Sequence, residues 1–195
     1  MKKTLVTLLG SSLLASSLLA GTCEDGLKYD FTFFGAPDKS YVVTKNTFKK
    51  AKVNFVNGKL LNATIDIDAL SIDTSADLNN GKAKWPAAMA NVRNMNTVNN
   101  FFKKFTKDIG KISVKVVKIG SDSMDLEFKM NGETKVIPFG YKVEGGVIKA
   151  QGKLDVLAFN TSSAWAKFTA TCRGFHKGKS WNELDVFFEV PASCK

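Results

Sequence analysis

Histidine is all but missing from this chain: His176 is alone among 195 residues, and there is no Cys-x-x-Cys spacing. Zinc sites are assembled from those residue types in clusters, so a metal role finds no ligand set here. Arginine is nearly as scarce. Lys plus Arg total 28 against 18 Asp plus Glu, a net charge of +10, yet only Arg93 and Arg173 are arginines. Readers of nucleic acid depend on bidentate arginine contacts to phosphate and guanine, so a lysine-dominated surface argues against that partner. The pattern also lacks a Gly-x-Ser-x-Gly elbow, a phosphate-cradling Gly-rich loop and a histidine pair. His176 itself falls at the end of a predicted helix beside lysines and reads as a solvated cation on the negative end of the helix dipole. Asp66 and Asp68 alternate on the wet face of a strand, whereas hydrolysis by two carboxylates needs both turned into a cleft. The chain is therefore read as a binding protein with neither a catalytic apparatus nor a cofactor.

What the chain does have begins with an export signal. Lys2 and Lys3 precede an apolar run from Leu5 to Ala20, which is too short and too Ser-rich to prefer spanning a bilayer. Residues 1–20 are expected to be removed near Ala20, with 21–195 forming one exported, periplasmic domain. Thr22 stands between Gly21 and Cys23 and spoils a lipobox, so a soluble product is expected. Losing Lys2 and Lys3 lowers the net charge from +10 to +8. That excess keeps the protein soluble and favours transient contact with anionic membrane surfaces. Cys23, Cys172 and Cys194 allow one bridge and one spare thiol. A Cys23–Cys194 bridge ties the chain ends together and a Cys172–Cys194 bridge staples a helix to the last strand; sequence does not choose between them.

Strands dominate the rest. Between Lys111 and Phe159 four apolar-alternating runs are separated by Gly120-Ser121-Asp122, Asn131-Gly132 and Gly145-Gly146, dipeptides and tripeptides suited to the positive φ angles of hairpin turns. Earlier, Tyr29, Phe31 and Phe33 mark a first strand, and Asn57-Gly58 joins two more. In the second of these, Leu61, Ala63, Ile65, Ile67 and Ala69 share one face, with Asn62, Thr64, Asp66 and Asp68 on the other. A last strand, with Leu184, Val186, Phe188 and Val190 on one face, ends at Pro191. Two short helices are expected in the long connection, one starting at Trp85-Pro86 and one over Val98–Phe105; a third follows Asn160, with Trp165, Phe168, Cys172 and Phe175 on its apolar face. Such a meander closes into a barrel, and small inward residues, Ala63, Ala150 and Gly152, leave room inside it.

Three blocks carry a family resemblance. Thr64-Ile65-Asp66-Ile67-Asp68-Ala69-Leu70-Ser71-Ile72-Asp73-Thr74 resembles the YceI-like strand-end signature, an alternating strand running into Ser-Ile-Asp-Thr. Arg93 followed by Phe101-Phe102 resembles that family's Arg-Asp-x-His-Leu stretch and Phe-Phe pair. Leu154-Asp155-Val156 through Phe159-Asn160 resembles its Ile-Asp-Arg strand followed by Phe-Gly. The likeness spans Tyr29 to Val190. It departs at Asn94 for Asp, at the missing histidine before Phe101, and at Val156 for Arg.

The resemblance implies a mainly β protein, an extended antiparallel lipocalin-like barrel of about eight strands with short helices. It also implies a guest: a polyisoprenoid or fatty-acid-like chain held in an apolar tunnel for storage or transport. Phe31, Phe33, Ile65, Ile67, Phe128, Phe139 and Phe159 are expected to line that tunnel, with Phe101, Phe102 and Phe105 at its mouth. The partners are then a long-chain lipid or isoprenoid and, transiently, a membrane surface; a homodimer is compatible with this scheme. The rival classes are a non-catalytic structural or stress-related interaction protein whose barrel is filled by its own side chains, and a lipid-modifying enzyme.

Overall fold

A computed structural model describes residues 22–78 and 86–195. The expected signal peptide and Trp85 lie outside the described residues. A short helix α1 (Cys23–Gly26) leads into β1 (Lys28–Gly35), β2 (Tyr41–Phe48), β3 (Ala51–Val56), β4 (Lys59–Asp68) and the two-residue β5 (Ile72–Asp73). Helix α2 (Ala88–Asn100) follows, then the meander β6 (Lys111–Ile119), β7 (Ser123–Met130), β8 (Glu133–Glu144) and β9 (Val147–Asp155). Helix α3 (Ser162–Cys172) and β10 (Glu183–Pro191) complete the chain.

All pairings are antiparallel, in the order β3-β4-β6-β7-β8-β9-β10-β1-β2-β5. The four-strand meander and its turns fall where the alternation places them. Asn57, Asn131 and Gly132, and Gly145 and Gly146, all take positive φ, the requirement that selects those dipeptides. The sheet is the curled antiparallel one expected, with ten strands where about eight were expected, and it forms a half-barrel. The reason is local. Closure would need β2 to offer its free edge to β3, but Thr47 and Phe48 there pair with Asp73 and Ile72 of β5.

Strand β4 holds a second departure. Leu61 was expected inward, yet it is 45% exposed while Leu60 is 2% exposed. Asn62 has φ 66° and the β3–β4 register shifts between Asn54 and Val56. A single-residue bulge reverses the facing of everything before it, so Ala63 and Ile67 keep the predicted side and Leu61 does not.

The helices cover the open side of the curl. One helix of 13 residues, α2, replaces the two short ones expected, and a 3-10 turn at Phe102–Lys104 takes up the second. Helix α3 forms over the alanine-rich segment expected, but no side chain caps it: the Thr161 hydroxyl at its N-cap donates instead to the Val156 carbonyl at 2.6 Å. Beside it, the Asn131 amide does more than shape a turn. Its oxygen accepts from the Thr106 and Lys107 backbone N–H groups at 2.8 and 3.2 Å, and its nitrogen donates to the Phe159 and Asn160 carbonyls at 3.0 Å. The segment after α2 is thereby clasped to the segment before α3, where each would otherwise leave buried backbone groups unpaired.

Candidate functional site

Helices α2 and α3 lie antiparallel across the concave face. Phe101, at the end of α2, meets Trp165 and Phe168 in the first half of α3, with ring centroids 6.0 and 6.1 Å apart. Toward the other end, Asn96 bonds Cys172 and the Arg93 charge faces His176. Beneath this pair the curled sheet leaves an apolar chamber of about 290 Å3. Its walls come from alternate residues of the strands, which a pleated sheet directs to one face. Phe31, Phe33, Ile65, Ile67, Phe128 and Phe139 are among them, and Phe101 and Phe102 complete the roof.

The mouth is elsewhere than expected. Phe101, Phe102 and Phe105 are 5, 5 and 4% exposed, with their rings packed edge to face. The exposed residues of the chamber wall are Val92, Thr171 and Phe175, where α2 begins and α3 ends. Phe105 and Phe159 are buried but lie off the chamber wall, in the core that carries it. Phe159 belongs to a 3-10 turn after β9, whose direction no strand alternation describes.

The small inward residues do not act alike. Ala63 lines the chamber. Gly152 instead faces Phe139: a Cβ there would sit 2.5 Å from the ring. The glycine is what admits Phe139, which is itself fully buried between Phe128 and Phe188 with centroids 6.1 Å from each. These three rings form the floor. The room left by Gly152 is taken up by the protein.

Polar groups gather near the mouth. Asp77, with a fully buried side chain, accepts from Arg93 Nη1 at 3.0 Å and from the Thr44 backbone N–H and Oγ1 at 2.8 and 2.9 Å. Arg93 stands over the Tyr41 ring, Cζ 5.9 Å from its centroid. Asn94 Oδ1 accepts from the Thr74 N–H at 3.1 Å, so the residue that departs from the family's Asp still ties α2 to the end of the Ser71–Thr74 signature. His176 is a correction to the sequence reading. It is 5% exposed, its ring lies 4.5 Å from Tyr41 and 5.2 Å from Phe33, and Nδ1 shares a 2.7 Å hydrogen bond with Ser180 Oγ. Burial, and then the Arg93 charge, push its pKa down to about 4, so the imidazole is neutral at pH 7. Spacing carried a hint of this: Phe168, Cys172 and His176 recur every four residues and share the inner face, while Phe175 is 53% exposed. Asp77 had no such signal.

Cys23 and Cys194 are bridged, with Cα atoms 5.9 Å apart, and Cys172 is a buried free thiol. Burial raises its pKa, the state of an unreactive cysteine.

No family model matches the chain, and no curated protein matches it in sequence. Solved structures do match in shape. A polyisoprenoid-binding domain from Saccharophagus degradans, implicated in plant cell wall breakdown, superposes with a TM-score of 0.51 at 13% identity, over 85% of this chain and 94% of that one. The chain shares the fold of that domain. Burkholderia cenocepacia BcnA matches over 83% of this chain and 94% of that one, with 17% identity and a TM-score of 0.48. Both strand ends of the sequence resemblance have one construction in this fold. Asp68 Oδ1 accepts from the Leu70 N–H at 3.0 Å and Asp155 Oδ1 from the Leu157 N–H at 2.9 Å, each capping the 3-10 turn after its strand.

Proposed function

We propose that this is an exported binding protein that holds the chain of a lipid, polyisoprenoid or fatty-acid-like, in the chamber under α2 and α3. The observation that carries the reading is the chamber itself, walled mainly by strand-borne aliphatic and phenylalanine side chains, with Arg93, Asn96 and His176 toward its open end. A core packed only for stability closes such a space, because a void of this size forfeits contacts on every side. The polyisoprenoid-binding domain with the same fold supports the class of guest. The disulfide and the N-terminal signal pattern support residence in the periplasm, where a bridge persists.

The size of the chamber sets what lies inside. A methylene takes about the room of a water, ~30 Å3, so the roughly 290 Å3 enclosed space holds about ten. At about 0.8 kcal/mol each they contribute about 8 kcal/mol before association costs, the scale of micromolar binding. A longer chain extends through the mouth between Val92 and Phe175. The guest's polar end then meets Asn96, Arg93 and Tyr41, and its tail meets the Phe128–Phe139–Phe188 floor. Storage or transport follows from holding without turnover.

The test is native mass spectrometry of protein purified from the periplasm without detergent, followed by solvent extraction. A co-purifying chain lipid, released chemically unaltered, is expected. Protein that carries no lipid and fails to take up a fluorescent fatty acid or isoprenoid analogue would overturn the reading, and an altered lipid would make it an enzyme.

A further inference from the structure

The distribution of charge around the chamber mouth is one-sided. Every one of the 18 carboxylates lies outside two stretches of the chain: none occurs from residue 78 to 107 or from 156 to 182. Those stretches contain α2 and α3, the two helices that roof the chamber. The second carries Lys167, Arg173, Lys177 and Lys179, all exposed, and the first carries exposed Lys103 and Lys104 after α2. On the sheet, by contrast, lysines are interleaved with acids and paired with them, as in Lys142 with Glu144 and Lys153 with Glu183 and Asp185. A uniformly basic protein would show that mixture everywhere. Here the two helical stretches of the roof contribute cations alone.

The same face exposes its large apolar residues at the mouth. Val92 is 48% exposed and Met95, one helical step on, 64%; across the seam Phe175 is 53% exposed. Phe175 and Val92 are also chamber wall residues, so the exposed apolar surface is continuous with the buried one. Arg173, Lys177 and Lys179 flank Phe175 in sequence. Apolar tips flanked by lysine and arginine, with Asp38 facing Lys177 from the β1–β2 turn as an acidic neighbour, are the composition of a surface that seats on anionic headgroups.

We propose that the carboxylate-free helical face around the mouth docks on an anionic membrane surface, setting Val92, Met95 and Phe175 at headgroup depth so that a lipid chain passes between bilayer and chamber without crossing water. This rests on the reading of the chamber as a lipid site and names the surface from which that site is filled. Docking and holding are separable. The face supplies attraction and orientation; the chamber supplies the affinity for the chain.

The experiment is co-sedimentation of the folded protein with phosphatidylglycerol vesicles and, in parallel, with phosphatidylcholine vesicles at low salt. Arg173→Gln, Lys177→Gln and Lys179→Gln are combined in one variant. Lys52→Gln, Lys118→Gln and Lys142→Gln, on the sheet, form a control with the same net charge, and thermal melts verify that both fold. Each cation near an anionic surface is worth about fivefold in binding, so the first variant is expected to lose about 100-fold on phosphatidylglycerol and the control little. Met95→Ser, exposed on the same face but off the chamber wall, is expected to weaken binding further while a fluorescent fatty acid in solution is still taken up. Equal loss in both triple variants, or equal binding to both vesicle types, overturns the docking face. Loss of fatty-acid uptake by the wild type overturns the lipid site instead, and the two failures are distinguishable.

Discussion

Phe139→Ala should change which guest is preferred, as well as how stable the protein is. Phe139 is fully buried, stacks on Phe128 with Phe188 tilted against its other side, and occupies the space that Gly152 leaves opposite it. Truncating such a ring costs about 3 to 5 kcal/mol, which for a domain of this size lowers the melting temperature by about 10 °C. A residue that is merely core does that much. A residue that forms the chamber floor does more, because the emptied volume joins the chamber and takes on the order of four further methylenes at about 0.8 kcal/mol each. Relative affinity for a guest four carbons longer should then rise about 100-fold. The assay is displacement of a fluorescent fatty acid by a saturated series of increasing length, run on wild type and variant below their melting points; Phe139→Leu serves if the alanine variant does not fold. Gly152→Ala forces the same ring away from the strand and into the chamber, and should shorten the preferred chain. An unchanged length optimum in a destabilised but folded Phe139 variant would show that the ring is packing and not floor.

His176 gives a pH dependence with a definite sign. Its folded pKa, about 4, lies below the unfolded 6.5, so the unfolded chain binds more protons between those values. Stability should be full above pH 6.5 and fall as pH drops toward 4, by on the order of 3 kcal/mol from this group; thermal melts across that range on wild type and His176→Gln measure it, and an identical slope in the variant refutes the assignment. Cys194→Ser releases a bridge spanning 171 residues. The chain-entropy cost is about 5 kcal/mol, so the melting temperature should drop markedly, and reductant should do the same to the wild type; no change in either would mean the bridge is absent in solution.

The strand meander was legible because period-two alternation and Asn-Gly or Gly-Gly turns are local properties, set by neighbours in sequence. Helix α3 was legible from its alanines for the same reason. Where the sequence reading failed, a local irregularity or a distant partner intervened. Asn62 reversed Leu61 and Leu60 through one bulged residue. β5 took the edge of β2 that closure needed. His176 was drawn under Phe33 and Tyr41, residues more than a hundred positions away.

By itself, then, the chain determined its sheet-forming segments, their turns, the scarcity of catalytic groups and the long stretches without carboxylates, all of which follow from residue type and spacing. Only the tertiary structure decided that the barrel stays open, that Cys23 pairs with Cys194, that Phe139 and not empty space fills the gap at Gly152, and that the mouth lies between Val92 and Phe175. Those outcomes depend on which side chains reach a shared volume first, and a volume is shared by residues that the sequence keeps far apart.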